Sequence, residues 1–151
     1  MTDPISFSSS SPRFALPLLF SGQSQKEITV NEAVLTADIL MHMAVEAVVA
    51  SPPTAPSNGQ CWLIASGATG SFAGHTDTIA AWSEGGWRFI APREGMRAYD
   101  LSATAQRLYA GGSWRLTTAP AAPSGGSVID SQARTAITAM IAAMRNAGLL
   151  S

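Results

Sequence analysis

Two short stretches with the same pattern constrain the fold of this chain more than any other feature of its sequence. In each, an aromatic residue precedes a Gly-Gly pair, and a Trp-Arg pair and an apolar residue follow it. The stretches are AWSEGGWRF at 81–89 and LYAGGSWRL at 108–116. Because adjacent glycines permit the positive φ angles of tight turns, the repeat predicts two β-hairpins, over roughly residues 78–91 and 105–117.

Weaker signals predict further elements before and between the hairpins. Alternating apolar residues predict a strand over about 41–50, and short apolar runs predict strands at 61–65 and 96–101. A helix is expected to begin near Ser24, because residues 24–27 (SQKE) have the capping-box form. The sequence therefore predicts an α+β fold, with a small antiparallel β-sheet or barrel, an N-terminal helix and a C-terminal amphipathic helix.

The glycine-rich segment 67–74 is not expected to hold phosphate. It lacks the Gly-Lys-Ser/Thr ending of a phosphate-binding loop, and no helix pattern follows it. We interpret it as a flexible loop.

The end of the chain carries the best-defined helix signals. A start resembling a capping box at 127–130 and a Schellman-type end at Gly148 bound an amphipathic segment. Its apolar face consists of Ile129, Ala133, Ile137, Met140, Ile141 and Met144. Such a stripe must be buried, and packing onto the chain's own sheet is the common solution. Packing against symmetry-related copies is the alternative, which the small residues Ala133, Ala136 and Ala143 favour.

These elements divide the chain into four parts. We expect an N-terminal arm at 1–20, a helix plus β-rich domain at 21–118, a linker at 119–127 and a C-terminal assembly helix at 128–151. The Ser- and Pro-rich start of the arm predicts either disorder or docking onto a neighbouring subunit. The apolar anchor of the arm consists of Phe14, Leu16, Leu18 and Phe20.

Composition favours assembly and argues against several classes of function. Charged residues make up 13% of the chain, against about 25% in typical domains, and weakly polar surface suits subunit contacts. With a net charge of −1 and no basic run, we expect no binding to nucleic acid. The apolar stretch 39–50 is too short for membrane insertion. A single cysteine, Cys61, excludes an internal disulfide and allows folding in a reducing cytoplasm.

Few residues could support catalysis or metal binding. His42 and His75 are the only histidines, and the segment 75–77 (HTD) offers two ligands where a metal site needs three or four. Four acids could in principle form a glycosidase pair, as acids could in almost any protein: Asp77, Glu84, Glu94 and Asp100. We therefore predict no enzyme activity, no catalytic residue, no cofactor and no metal.

Sugar binding is the alternative function that the aromatic residues suggest. Trp82, Tyr109 and Trp114 lie near hairpin turns and could stack on pyranose rings if they are exposed. The competing interpretation places such side chains in the core, and we expect it to hold for Trp62 and Trp87.

A family resemblance adds a more specific expectation. Residues 16–27 (LPLLFSGQSQKE), 31–33 (NEA), 79–82 (IAAW) and 85–92 (GGWRFIAP) resemble an uncharacterised domain family of alphaproteobacterial prophages and gene transfer agents. The family occurs among tail-fibre and head-spike-like proteins, and the likeness covers roughly residues 14–100. It implies a structural virion component that forms or anchors a host-binding spike or fibre. It brings no catalytic residue with it.

The resemblance also implies partners and a location. We expect a homo-oligomer, a trimer or pentamer, that contacts other virion proteins. Host surface polysaccharide is a further partner if the hairpin aromatics are exposed. The chain is expected to fold in the bacterial cytoplasm and to leave it within the particle.

Overall fold

The structure is a computed structural model of the 151-residue chain and describes residues 9–20, 22 and 26–151. Helix α1 spans Glu27–Leu40 and helix α2 spans Ser131–Asn146. Between them lie eight strands: β1 (Ala44–Val45), β2 (Val48–Val49), β3 (Cys61–Ile64), β4 (Ile79–Ser83), β5 (Gly86–Ile90), β6 (Arg97–Asp100), β7 (Ala105–Ala110) and β8 (Ser113–Leu116). A single 3-10 turn, Gly70–Phe72, lies between β3 and β4. The predicted α+β class is confirmed.

The strands form two four-stranded sheets. The first sheet has the order β1-β6-β7-β8 and the second has the order β2-β3-β4-β5. Each sheet is mixed, because β1 runs parallel to β6 and β2 runs parallel to β3, whereas the other pairs are antiparallel. The arrangement thus differs in detail from the expected antiparallel sheet or barrel, and the described strands form no closed barrel.

The segment 41–50, predicted as one strand, contributes to both sheets. Val45 pairs with Asp100 in the first sheet, whereas Val48 pairs with Leu63 in the second. Between them the Glu46 N–H donates to the Cys61 carbonyl, at 2.8 Å, so the chain moves from β6 to β3 without a loop. Alternation reports which side chains are buried and not which strand is the partner, so it cannot reveal this change.

Both predicted hairpins are present. The first joins β4 to β5, with Ser83 opposite Gly86, and the second joins β7 to β8, with Ala110 opposite Ser113. Gly111 and Gly112 have φ of +61° and +79° in the second turn, which is the conformation that the Gly-Gly pair was expected to supply. The strands predicted at 61–65 and 96–101 are confirmed as β3 and β6.

The core lies between the two sheets and the end of α1. Its buried side chains come from α1, from the segment that follows it and from β1, β3, β4 and β6: Ile39, Met43, Val45, Cys61, Leu63, Ile79, Ala81 and Ala98. A second cluster around Phe72 includes Ile64, Ala80 and the partly buried Trp87. Because Phe72 is fully buried, the glycine-rich segment is anchored to the sheet, contrary to the flexible loop expected. Trp62 is buried in the core, as predicted, and Trp87 is partly buried and packs against the second cluster.

Both helices begin about three residues later than predicted. Helix α1 starts after Lys26 without a side-chain cap, and Ser24, the predicted cap, lies outside the described residues. Helix α2 is capped by Asp130, whose carboxylate accepts from the Ala133 N–H at 2.9 Å. The Schellman end is confirmed, because Gly148 has φ +68° and the Leu149 N–H donates to the Met144 carbonyl at 3.0 Å.

Among the described residues, no helix has both the length and the apolar character required to span a lipid bilayer.

Candidate assembly surface

Helix α2 projects from the β domain with its apolar face uncovered. None of its residues is buried. The exposed fractions of Ile137, Met140 and Met144 are 38%, 55% and 46%, and that of Ile129 just before the helix is 62%. The helix therefore does not bury its stripe on the sheets of its own chain, which was the common solution considered above.

The exposed face has the spacing of a coiled-coil seam. Ala133, Ile137, Met140 and Met144 follow one another at intervals of 4, 3 and 4 residues, which is the alternation of a and d positions in a heptad. Alanines flank the seam at Ala136 and Ala143 and would let a second backbone approach closely. With 16 residues, the helix is about 24 Å long and offers about two heptads.

The opposite face of α2 is polar and satisfied within the helix. Thr135 Oγ1 donates to the Ser131 carbonyl at 2.8 Å, and Thr138 Oγ1 donates to the Arg134 carbonyl at 2.9 Å. Hydroxyls that donate to their own helix keep only their acceptor positions for a partner. The two faces therefore differ clearly in what they could bind.

The end of α2 is fixed to the first sheet by the last residues of the chain. The Gln106 N–H donates to the Gly148 carbonyl at 2.7 Å, and the Ser151 N–H donates to the Thr117 carbonyl at 3.0 Å. Leu150 is buried. Gly148 lies so close to Tyr99 that an added Cβ would be 2.9 Å from Cε2 of the ring. The helix is held at its end while its apolar face remains free.

The described part of the N-terminal arm folds onto its own chain. The Ser11 N–H donates to the Leu16 carbonyl at 2.8 Å and closes a small hairpin. Asp38, fully buried near the end of α1, accepts from Ser11 Oγ at 2.6 Å, from the Arg13 N–H at 3.0 Å and from the Phe14 N–H at 2.8 Å. One carboxylate thus ties the arm to the helix.

The four predicted anchor residues of the arm divide into two pairs. Phe14 and Phe20 are exposed, at 42% and 47%, whereas Leu16 and Leu18 are half-buried. Phe14 lies beside the His42 ring, with 6.1 Å between the centroids. Two of the four predicted anchor residues of the arm are therefore exposed.

The three candidate sugar-stacking residues are only partly exposed, and each contacts another aromatic ring. Trp82 packs edge-on against Trp87 at 5.0 Å between centroids, and Tyr109 packs against Trp114 at 5.3 Å. Trp114 also donates through Nε1 to the Asp77 carbonyl at 2.9 Å and packs against the main core. All three take part in the fold, and sugar stacking on them stays a prediction.

Asp100 and Cys61 are buried ionisable groups whose pKa values are shifted from their usual values. Burial would raise the pKa of Asp100, but hydrogen bonds from Ser102, Arg107 and Ala103 outweigh it and hold that pKa below its usual value. Burial raises the pKa of the Cys61 thiol to about 11. The carboxylate is therefore charged and the thiol neutral at pH 7.

His75 and Asp77 gain no third ligand among the described residues. The His75 ring stacks on Phe89, with 3.8 Å between the centroids. The described residues contain no group of three or more His, Cys, Asp or Glu side chains that could hold a metal ion.

The sequence reasoning missed Asp38 and the docking of the chain end. An aspartate between the apolar residues Leu35 and Ile39 was a usable signal, because a buried carboxylate needs several donors. The docking of Gly148 on Tyr99 had no local signal, since it depends on where the first sheet lies.

Comparison with family models matches residues 30–115 to a family described as a protein of unknown function, DUF2793. The matched segment runs from α1 to β8 and leaves α2 outside it. Comparison with curated proteins gives no match. Because the matched residues make up more than half of the chain, this protein belongs to the DUF2793 family.

Proposed function

We propose that this protein is a structural subunit of a phage or gene-transfer-agent-like particle. It assembles through the apolar face of α2 and forms or anchors a host-binding spike or fibre. The observation that carries the proposal is the α2 face, where Ile137, Met140 and Met144 are exposed at heptad spacing while the helix end is fixed. The resemblance of residues 14–100 to prophage and gene-transfer-agent proteins supports the proposal that the chain is part of such a particle.

The apolar residues of the seam bear on how many copies could assemble. Burying an exposed Ile or Met side chain contributes roughly 1.5–3 kcal/mol, and association costs roughly 4–15 kcal/mol. Two helices of two heptads enclose the seam on one side only, so their gain is close to that cost. A bundle of three to five helices also covers the flanking alanines, which is consistent with a trimer or pentamer.

The test of assembly compares charges placed on the two faces of α2. Ile137→Asp puts a carboxylate in the seam, whereas the adjacent Thr138→Asp puts the same carboxylate on the polar face. We expect light scattering to give a multiple of 15.7 kDa for the wild type and for Thr138→Asp, and a single chain for Ile137→Asp. A single chain for the wild type, or no effect of Ile137→Asp, would contradict the proposal.

The particle claim has a separate test. Mass spectrometry of purified particles from a strain that encodes the chain should detect it, and the Ile137→Asp variant should be depleted from particles while Thr138→Asp is retained. The gene should also lie among capsid and tail genes. Particles that contain no trace of the chain would overturn the virion role and leave the oligomer intact.

A further inference from the structure

The outer face of the first sheet carries a groove that the assembly surface does not use. Its volume is about 380 Å³, and it is lined by His42, Met43, Arg97, Tyr99 and Gln106. This volume lies within the roughly 300–1,000 Å³ of small-molecule sites. Apart from Met43, its lining residues have polar side chains that can form hydrogen bonds.

Strand geometry explains why these side chains meet. On β6, Ala98 and Asp100 are buried, so Arg97 and Tyr99 point to the opposite, outer face. Tyr99 lies directly opposite Gln106 on β7, and directly opposite side chains share a face. The groove is therefore built into the register of the sheet.

The outward positions of the described strands on this face include a second arginine and no acid. The nearby Glu94 carboxylate lies at the β7–β8 turn, where it accepts from the Gly111 and Gly112 N–H groups. Arg97 is opposite Leu108, and Leu108 is opposite Arg115, so the two arginines lie in one row across β6, β7 and β8. The remaining outward positions of these described strands are Ala44, Tyr99, Gln106, Ala110 and Ser113. These strand positions therefore hold two positive charges and no negative one, on a chain whose net charge is −1.

Both arginines are free to bind a ligand. The ion pairs within the described part of the chain are Arg88–Glu32 and Arg107–Asp100. Arg97 and Arg115 are exposed and take part in neither pair. An exposed guanidinium without a carboxylate partner can form paired hydrogen bonds with an incoming carboxylate.

The walls of the groove are fixed before any ligand binds. The Tyr99 N–H donates to the Met43 carbonyl at 2.9 Å, and Gly148 lies close to the Tyr99 ring. His42 has φ +45°, a backbone conformation that residues other than glycine rarely adopt. Its carbonyl accepts from Arg13 Nη2 at 3.2 Å. Strained backbone held by its surroundings is a common property of binding sites.

We propose that this groove binds a carboxylate-bearing sugar, such as a uronic acid residue within an acidic polysaccharide. Arg97 pairs with the carboxylate, and Arg115 contacts the next acidic group along the chain. The Tyr99 ring packs against the sugar and Gln106 bonds to its hydroxyls, since aromatic rings and amides suit these two parts of a pyranose. A single protomer holds the groove, so binding does not require assembly.

The test titrates tetragalacturonic acid into the full chain and follows it by calorimetry or NMR. Maltotetraose is the neutral comparison, and sodium sulfate is the free-anion comparison. We expect the acidic oligomer to bind and the neutral one not to bind. Arg97→Gln should weaken binding about fivefold or more, whereas Arg93→Gln, which removes an equal charge from an exposed loop, should leave it unchanged.

Four outcomes overturn the proposal. They are no binding of the acidic oligomer at about 10 mM, equal weakening by Arg93→Gln, equal binding of maltotetraose, and binding of sulfate as tight as that of the oligomer. The last would indicate an anion site without sugar recognition. The Ile137→Asp variant should bind with the same Kd per chain, so a failure of assembly and a failure of sugar binding are distinguishable.

Discussion

The two helices of this chain are similar in length and opposite in what holds them. Helix α1 has 14 residues, no side-chain cap and a weak apolar stripe, yet Asp38 and Ile39 are buried at its end. Helix α2 has 16 residues, an Asp130 cap and a Schellman end, yet none of its residues is buried. Caps and an apolar stripe therefore do not determine whether a helix packs against its own chain.

The difference has a physical origin in how each helix is fixed. Polar contacts join α1 to its surroundings, through Asp38 to the arm and through Glu32 to Arg88 on β5 at 2.6 Å. Backbone hydrogen bonds join the residues after α2 to the first sheet and to Thr117, whereas no residue of α2 itself is buried. A helix whose local signals suffice for its formation can leave its apolar face free for another copy.

The largest expected difference between the two helices comes from replacing one aspartate at each of them. Asp38→Ala removes three hydrogen bonds to a buried carboxylate and leaves the donors unpaired, so we expect a loss of about 3–5 kcal/mol in the free energy of unfolding. Asp130→Ala removes one cap and should cost about 1 kcal/mol. Urea denaturation measures both. Equal losses would show that α1 does not depend on its polar anchor.

A second test concerns the docking of the chain end. Gly148→Ala adds a Cβ at positive φ and 2.9 Å from Tyr99, so we expect a loss of about 2–3 kcal/mol. Gly125→Ala is the control, because φ of Gly125 is also positive and no atom lies within 4 Å of an added Cβ. This variant should lose about 1 kcal/mol of the free energy of unfolding. If both variants lose the same amount, the contact with Tyr99 contributes nothing.

A third test uses acid to weaken the β domain. Hydrogen bonds hold the pKa of Asp100 below its ordinary value of 3.8, so its charged form stabilises the fold above that pH. The contribution is lost as pH falls from about 4 through the folded pKa. Urea midpoints at pH 5, 4 and 3 should fall in the wild type, and the decline should be shallower in Asp100→Asn. Equal slopes would contradict this account.

The smallest effect concerns the one thiol of the chain. Burial raises the pKa of Cys61 to about 11, so the native thiol should react with a thiol reagent at pH 8 far more slowly than the thiol in urea. Absorbance at constant pH follows both rates. Fast labelling of the native chain would show that the region around β3 opens readily.

The sequence predicted those features that depend on neighbouring residues. Gly111 and Gly112 identified a hairpin turn, and Gly148 identified a helix end, because each requires positive φ within a few residues. The parallel pairing of Ala44 with Tyr99 joins distant segments, so no local pattern contained it.

For the candidate sites too, the sequence predicts only what depends on neighbouring residues. The apolar face of α2 follows from helical periodicity alone, and it was predicted. The groove requires Arg97 and Tyr99 on one face, which alternation gives, together with Gln106 opposite Tyr99, which only the register gives. The predicted Trp114 site depended on exposure, and its indole bond to the Asp77 carbonyl has no counterpart in the sequence pattern.

Cross-linking through introduced cysteines tests most directly whether the α2 face meets a second copy. Cys61 is buried, so a new cysteine on α2 would be the accessible thiol of the native chain. Met140→Cys lies in the seam and Ala142→Cys lies on the opposite face. Under mild oxidation we expect disulfide-linked dimers of Met140→Cys and little or none of Ala142→Cys on non-reducing gels. Equal cross-linking of the two variants, or none in either, would contradict assembly through this face.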